Sequence, residues 1–274
     1  MDTNRKILIG TISAVVVIGG VAIGLILSKT PEKADLSTIH TEAASEAQKE
    51  TLPPTTAASA ASEATPSNAG TASGVTADIQ TYTNGKVSIQ YPVVSKMEDA
   101  SKQDKINELL KANALSVLKA NDINEAKDSL SIKCQVISVD RKRLTATYTG
   151  LLDGDGAAHP VNMFYANTMN LLQAQDLGLE DVTDAYTMAG YVLSDDVTFS
   201  GISSDQEAQV LEYRSTLKLD ALTEVLSGAD FPLSSEDKWP QSFSFEKQGT
   251  IYFSIPVTHA LGDYVLVAFN PSTK

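Results

Sequence analysis

Residues 101–120 read SKQDKINELLKANALSVLKA, and the predicted fold is built around this segment. Its apolar residues recur at helical spacing and therefore form one stripe along a helix. We predict an amphipathic helix that is capped by Ser101 with Asp104 at its start and ends at Asn121. The apolar stripe consists of Ile106, Leu109, Leu110, Ala114, Val117 and Leu118.

The segments around this helix alternate apolar and polar residues, which is typical of half-buried β-strands. Before the helix, KVSIQYPVV at 86–94 predicts a strand, and Pro92 places it at an edge or an end of the sheet. After the helix, alternation over 130–136 and 144–148 predicts a β-hairpin, and a third strand follows over 163–167.

A second helix and three further strands complete the predicted domain. The helix covers 205–227 and ends at Gly228, a residue type that commonly follows a helix. The strands lie near 242–246, 250–255 and 264–269. This order of elements, with hairpins between strands, predicts the α+β class: an antiparallel sheet with two main helices packed on it.

An apolar run of 21 residues without a charge, ILIGTISAVVVIGGVAIGLIL, occupies positions 7–27. About 20 apolar residues are needed for a helix to cross the hydrocarbon core of a bilayer, so we predict a single transmembrane helix. The alternative is a cleaved secretory signal, whose apolar part is usually shorter and ends at a small-residue cleavage site. Residues 25–29 offer no good site of that kind. We therefore favour an uncleaved anchor in the cell membrane, with residues 1–6 as a cytoplasmic stub and the C-terminal domain outside.

Residues 28–77 form a predicted disordered linker between this anchor and the folded domain at 78–274. Of its fifty residues, 39 are Ala, Ser, Thr, Pro, Gly or Glu, and none is aromatic. Such a stretch buries too little apolar surface to offset the entropy of ordering it. A flexible chain of this length places a domain several tens of Å from the bilayer, at roughly 5–6 Å × √n.

Charge and cysteine usage exclude two classes of function. The chain of 274 residues has a net charge of −13, and residues 78–274, with 27 acidic and 16 basic residues, carry −11 of it. Nucleic-acid binding needs clustered Lys and Arg, so we expect no nucleic-acid partner. The one cysteine, Cys134, excludes an intrachain disulfide and a Cys-rich zinc site. It falls on the apolar side of a predicted strand, where a free thiol is usually inert.

The order of several short motifs resembles a known type of domain. The chain has Ile89-Gln90-Tyr91-Pro92 in a strand, then Gly156-Ala157-Ala158-His159-Pro160 after the hairpin, and Leu179-Glu180-Asp181-Val182 further on. The last hairpin runs from Tyr252-Phe253-Ser254-Ile255 to Gly262-Asp263-Tyr264. This order resembles the extracytoplasmic domain of RsiV-type anti-sigma factors and the non-catalytic N-terminal domain of PdaC-type peptidoglycan deacetylases.

The resemblance covers about residues 80–270 and implies a membrane-tethered sensor or wall-facing binding domain of Gram-positive bacteria. We do not carry over the anti-sigma or the deacetylase activity. Six residues ahead of the span cannot hold a sigma-binding domain, and no deacetylase domain follows.

Four residues are candidate ligand contacts: His159, Tyr165, Asp263 and Tyr264. His159 lies near the acids of the turn at 153–156, but that turn lacks the ligand positions of a calcium loop, and we expect no metal and no cofactor. For His159 we favour a purely structural role over metal binding, and a place on a ligand-binding surface is the alternative.

We also expect no catalytic residues. A Ser-His-Asp set would have to use His159 or His259, and the G-x-S-x-G motif of many hydrolases does not occur. Trp239-Pro240 with Phe243 and Phe245 predicts packing rather than a carbohydrate-binding platform.

Three functional hypotheses remain open on the sequence. The first is a tethered binding or sensing module for a cell-envelope ligand, either peptidoglycan or a cationic protein such as lysozyme, whose charge is opposite to that of the domain. The second is a cell-wall glycan-modifying enzyme, which requires a histidine within hydrogen-bond reach of a carboxylate in a cleft. The third is an accessory subunit of an envelope complex.

Overall fold

The computed structural model describes residues 74–233 and 238–273. The predicted stub, the predicted anchor at 7–27 and the linker up to residue 73 lie outside these ranges. Within them, no helix is both long enough and apolar enough to cross a membrane. Two β-sheets and four α-helices make up the described part of the chain, which confirms the α+β class.

A six-stranded sheet contains the first six strands, side by side in chain order. These strands are β1 (Thr76–Asn84), β2 (Val87–Ser95), β3 (Ser129–Val139), β4 (Arg143–Asp153), β5 (Val161–Asn170) and β6 (Gln175–Leu177). All neighbours are antiparallel except β2 and β3, which run parallel. The sheet is therefore mixed, and the prediction of a purely antiparallel sheet is wrong. β1 was not predicted, and it starts two residues before the predicted domain boundary at 78.

The parallel pair follows from the helix that decides the fold. Helix α1 (Ala100–Ala120) carries the chain from the end of β2 back to the start of β3. Parallel neighbours need a crossover of this kind, because a tight hairpin joins only antiparallel strands. The side of α1 that packs into the core has no exposed surface at Ile106, Leu110, Ala114 and Val117.

The C-terminal end of α1 was predicted correctly, and its N-terminal cap was not. The helix begins one residue early, and the side chain of Asp99, not Ser101 with Asp104, caps it by accepting a hydrogen bond from the Lys102 N–H at 3.0 Å. A carboxylate at this position satisfies a backbone donor that has no partner within the helix. Asn121 ends the helix as predicted.

A helical insert, defined here as residues 179–230, lies between β6 and the last three strands of the chain and contains one strand of the second sheet. Its elements are a 3-10 turn (Leu179–Asp181), α2 (Ala185–Leu193), β7 (Phe199–Ser200), α3 (Ser204–Arg214) and α4 (Leu219–Ser227). The single helix predicted over 205–227 is wrong. The hydroxyls of Ser215 and Thr216 donate to carbonyls three residues earlier and end α3, and the chain then restarts as α4 at Leu219.

The second sheet consists of four antiparallel strands in the order β7-β10-β9-β8. The last three are β8 (Ser244–Lys247), β9 (Thr250–Pro256) and β10 (Tyr264–Phe269), close to their predicted positions. Gln248 and Gly249 join β8 to β9 with positive φ angles of 52° and 79°. A two-residue turn of that kind matches the twist of the strands that it connects.

Buried residues form two hydrophobic clusters. The larger joins the six-stranded sheet, α1 and the aromatic residues that precede and begin β8, and the smaller joins the insert helices to β9 and β10. At the centre of the larger cluster, residues 144–148 of β4 and 163–169 of β5 are all buried, so both faces of these strands are covered.

Candidate functional site

Three of the four predicted contact residues come together where two loops meet. The β4–β5 loop carries His159, and the β9–β10 loop carries His259 and Asp263. The Asp263 carboxylate accepts hydrogen bonds from the Asn162 N–H at 2.7 Å and from the Asn162 side-chain amide at 3.1 Å, and its other oxygen lies 2.9 Å from His259 Nδ1. One carboxylate thus links the β9–β10 loop to the start of β5.

The imidazole rings of this loop junction lie at the surface. His159 and His259 are both exposed and stack with centroids 5.2 Å apart and planes 10° apart. Next to them, Tyr264 stacks on Phe164 at 5.1 Å. Partial burial raises the pKa of Asp263, but the hydrogen bonds from Asn162 and His259 outweigh this effect and lower the pKa below its usual value.

Asp263 also has an unusual backbone conformation. It follows Gly262, and the two residues have φ angles of 71° and 102°. Aspartate adopts left-handed backbone more readily than most residues do. The local turn therefore favours these two residue types, and it places the carboxylate beside Asn162 at the start of β5.

Tyr165 lies elsewhere, in the core, and cannot contact a ligand at the surface. Its side chain has no exposed area, and its hydroxyl donates to the Ala114 carbonyl of α1 at 3.0 Å. Its ring stacks on Tyr148, its partner across the β4–β5 pair, at 4.3 Å. Burial raises the pKa of both phenols. The role of Tyr165 is in packing, which corrects the predicted contact.

Cys134 belongs to the same row of side chains, opposite Tyr148 in the β3–β4 pair. It is a free, partly buried thiol, and burial raises its pKa to about 12. Because the thiolate is the reactive form, we expect native protein at pH 8 to resist labelling by a thiol reagent over the time in which denatured protein is fully labelled. Equal labelling rates in the two states would contradict this placement.

The enzyme hypothesis required a histidine next to a carboxylate in a cleft. The His259–Asp263 contact provides the first half of this requirement. It lies outside the cleft beside Trp239 and outside the one beside Tyr91. In the described part of the chain, no group of three His, Cys, Asp or Glu side chains is placed to hold a metal ion.

The net charge of the domain is concentrated in the helical insert. Residues 179–230 contain eleven acidic residues and two basic ones, whereas the rest of 78–274 contains sixteen and fourteen. Of the two basic residues, Arg214 already pairs with Asp195 at 3.5 Å and with the Ser194 carbonyl. The insert therefore has a formal net charge of −9, beside a nearly neutral body of β-strands and α1.

The cleft beside Trp239 has a volume of about 550 Å³ and lies at the end of the insert. Trp239 packs on Tyr165, Phe231 and Phe243 with ring centroids 5.1–6.2 Å apart, which confirms the predicted packing. These contacts do not test the other half of that prediction, that Trp239 is not a carbohydrate-binding platform. It also lines the cleft, together with Glu224 of α4.

Asp230 lies at the wall of this cleft and connects the insert to the second sheet. Its carboxylate accepts hydrogen bonds from the Leu179 N–H at 2.8 Å and from the Ser244 N–H and hydroxyl, each at 2.5 Å. Leu179 and Asp230 are the first and last residues of the insert, so the Asp230 side chain joins the two ends of the insert by a hydrogen bond. Burial raises the pKa of Asp230 to about 7, against the effect of these hydrogen bonds.

Sequence reasoning missed the cleft and Asp230. No motif marks Asp230, because its partners are 51 and 14 residues away along the chain. Trp239 was noticed, but only as a packing residue.

No family model matches the chain, and no curated relative matches it. The chain is similar to the crystal structure of a DUF3298 family member from Bacteroides fragilis, with 13% identity, a TM-score of 0.38 and coverage of 73% of this chain and 92% of that one. It is also similar to a DUF3298 family protein from Pseudomonas aeruginosa, with 11% identity, a TM-score of 0.35 and coverage of 66% and 82%. These structural neighbours are DUF3298 proteins, and the resemblance to RsiV-type and PdaC-type domains stays a prediction.

Proposed function

We propose that the chain is a membrane-tethered, extracytoplasmic binding or sensing module for a cell-envelope ligand, and that this ligand is a cationic protein of the lysozyme type. The observation that carries the proposal is the net charge of −9 on residues 179–230. The stub, the anchor and the linker supply the tether in this proposal.

Charge concentrated on one part of a domain attracts a ligand of opposite charge and orients its approach. Such steering raises association rates by one to three orders of magnitude at low ionic strength. A uniform surface of the same total charge would attract a cation without orienting it. The nearly neutral remainder of the domain favours contact through the insert.

Peptidoglycan is the other ligand class for the same module. Its neutral glycan chains gain nothing from the acidic insert, so the charge distribution favours the cationic protein. A glycan-modifying enzyme is a second candidate function, supported by the His259–Asp263 hydrogen bond. In that case His259 acts as the base and Asp263 orients it.

The proposal is tested by calorimetry of the full chain in mild detergent with lysozyme, at about 20 mM and at about 300 mM salt. The distance over which salt screens electrostatic attraction shortens from some 20–30 Å to below 8 Å over this range. We therefore expect binding at low salt and a dissociation constant at least tenfold higher at high salt. Absence of binding at low salt, or binding that ignores salt, would overturn the proposal.

The same preparation separates the alternatives. Sedimentation with insoluble peptidoglycan tests the other ligand class, and release of reducing sugar or free amine from that peptidoglycan tests the enzyme. Product release that is lost in His259→Ala would favour the enzyme over the binding module.

A further inference from the structure

We propose that the cleft beside Trp239 is a binding site for an uncharged saccharide that carries amide groups, the N-acetylhexosamine class. This site does not depend on the charge-steered contact proposed above, although one of its walls, α4, belongs to the insert. The proposal rests on the size of the cleft, the fixed indole and the balance of charges around it.

The size and position of the cleft suit a small ligand. Its volume of about 550 Å³ falls within the range of known ligand sites, 300–1,000 Å³. One wall is the C-terminal half of α4, and another is the segment from Lys238 to Gln241, which precedes β8. The cleft thus lies between the helical insert and the chain that leads into β8, and it has both apolar and polar walls.

The indole of Trp239 is held in place before any ligand arrives. Tyr165 and Phe231 meet it at interplanar angles of 77°, and Phe243 at 53°. A side chain already fixed by packing loses little entropy when a ligand is placed against it. Aromatic rings offer a flat apolar surface with a polar edge, and a pyranose ring has a complementary apolar face.

The charges at the cleft argue against a simple ion as ligand. Among the lining residues that the structure describes, Glu224 and Lys238 are the exposed charged ones, and their charges are opposite. A cation would meet the ammonium of Lys238, and an anion would meet the carboxylate of Glu224. Asp230 is buried behind them, and its oxygens already accept hydrogen bonds from Leu179 and Ser244. A neutral ligand that donates and accepts hydrogen bonds matches this set best.

Amide chemistry explains the preference for an acetamido sugar. Gln241 at the cleft presents both a carbonyl acceptor and an NH₂ donor. An acetamido group presents the complementary N–H and C=O. Glu224 accepts from hydroxyl groups, and Lys238 donates to them.

Trp239 is the only tryptophan of the chain, so its fluorescence reports on this cleft alone. We would titrate the full chain in mild detergent with the trimer of β-1,4-linked N-acetylglucosamine and, separately, with the corresponding glucose trimer. The expected result is a saturable change in Trp239 emission with the acetamido trimer, and binding of the glucose trimer at least about tenfold weaker, since each lost hydrogen-bonded group is worth about that factor.

Variants decide whether the change comes from the cleft. We expect Glu224→Ala and Gln241→Ala each to raise the dissociation constant about tenfold, and the matched control Glu212→Ala, an exposed acid of the insert away from the cleft, to leave it unchanged. No saturable change with the acetamido trimer, equal binding of both trimers, or equal effects of Gln241→Ala and Glu212→Ala would overturn the proposal. So would a saturable response to lysine amide in place of the sugar.

The two proposals fail separately. Gln241→Ala removes no charge, so capture of the cationic protein stays at its full value in this variant. If Gln241→Ala loses sugar binding but still captures the cationic protein, the result supports the saccharide site. If the wild-type chain captures the cationic protein but shows no response to sugar, the saccharide site is overturned and the proposed function is not.

Discussion

Replacing Asp230 with alanine is expected to lower the free energy of unfolding by about 4 kcal/mol. The substitution leaves three buried donors, on Leu179 and Ser244, without their acceptor, and each unsatisfied donor costs about 1–3 kcal/mol. Residue 230 also has a left-handed backbone with φ 66°, which aspartate tolerates better than alanine does because its side chain forms local hydrogen bonds. Alanine at this position therefore costs about 1 kcal/mol more. Urea unfolding of the full chain, followed by Trp239 fluorescence, measures the loss.

Asp230→Asn is the matched control, because asparagine tolerates the same backbone conformation and keeps one carbonyl acceptor. We expect it to cost about 1–2 kcal/mol. If Asp230→Ala were no more destabilising than Asp230→Asn, the carboxylate would not be the link that closes the helical insert.

We also predict that the free energy of unfolding depends on pH through Asp230. The pKa of Asp230 is raised by burial to about 7 in the folded chain, above its value of about 4 in the unfolded chain. The folded state therefore holds the proton more tightly, so this stabilisation is complete below pH 4 and is lost as the pH rises through 7. Three pKa units at about 1.4 kcal/mol each give a loss of roughly 4 kcal/mol.

The difference in unfolding free energy between wild type and Asp230→Asn isolates this effect, because burial also raises the pKa of Asp176, which is present in both proteins. We expect the advantage of the wild type to shrink as the pH rises from 4 to 8. An advantage that grows over this interval would mean that hydrogen bonding, and not burial, controls the carboxyl group.

The second large effect is expected at Tyr165. Tyr165→Ala removes a fully buried ring that stacks on Tyr148 and meets Trp239, and we expect a loss of about 3–5 kcal/mol. Tyr165→Phe keeps the ring and removes only the hydrogen bond to the Ala114 carbonyl, at a cost of about 1–2 kcal/mol. Denaturant unfolding followed by circular dichroism checks both values.

Tyr186→Ala serves as the control, since its side chain is 62% exposed and a surface substitution usually changes stability by less than about 0.5 kcal/mol. Comparable losses at Tyr165 and Tyr186 would contradict the packing role assigned to Tyr165. Because this role is structural, Tyr165→Phe is also expected to leave ligand binding unchanged.

The local pattern of apolar and polar residues predicted the helices and strands that have one apolar and one polar face. Helix α1 has one apolar stripe, and β10 alternates clearly, so both were located almost to the residue. Helix α2 was missed because it is apolar around most of its circumference: five of its nine residues are buried, and periodicity is lost in such a segment. β1 was missed for the opposite reason, since an edge strand exposed along most of its length shows little apolar alternation.

The candidate site was predictable only in part. His159 and Asp263 were named because they stand in motifs, but nothing local shows that their loops meet, since about a hundred residues separate them. Tyr165 was misplaced because β5 is buried on both faces, so alternation along the strand does not show which residues reach the surface. The cleft beside Trp239 arises from the packing of α4 against the chain before β8, which is a tertiary property.

Neutralising charge in two places tests whether the acidic insert binds a cationic protein. One variant combines Glu180→Gln, Asp205→Asn, Glu212→Gln and Asp220→Asn, all exposed and all in the insert. The matched variant combines Asp78→Asn, Glu98→Gln, Asp104→Asn and Glu108→Gln, equally exposed but outside the insert. Both variants change the net charge by the same four units.

Calorimetry of both full-length variants with lysozyme at about 20 mM salt is the decisive measurement. We predict that the insert variant raises the dissociation constant at least tenfold and that the matched variant changes it less than about threefold, since losses of close charge contacts are larger than losses of distant ones. Equal weakening in both variants, or none in the insert variant, would contradict the account.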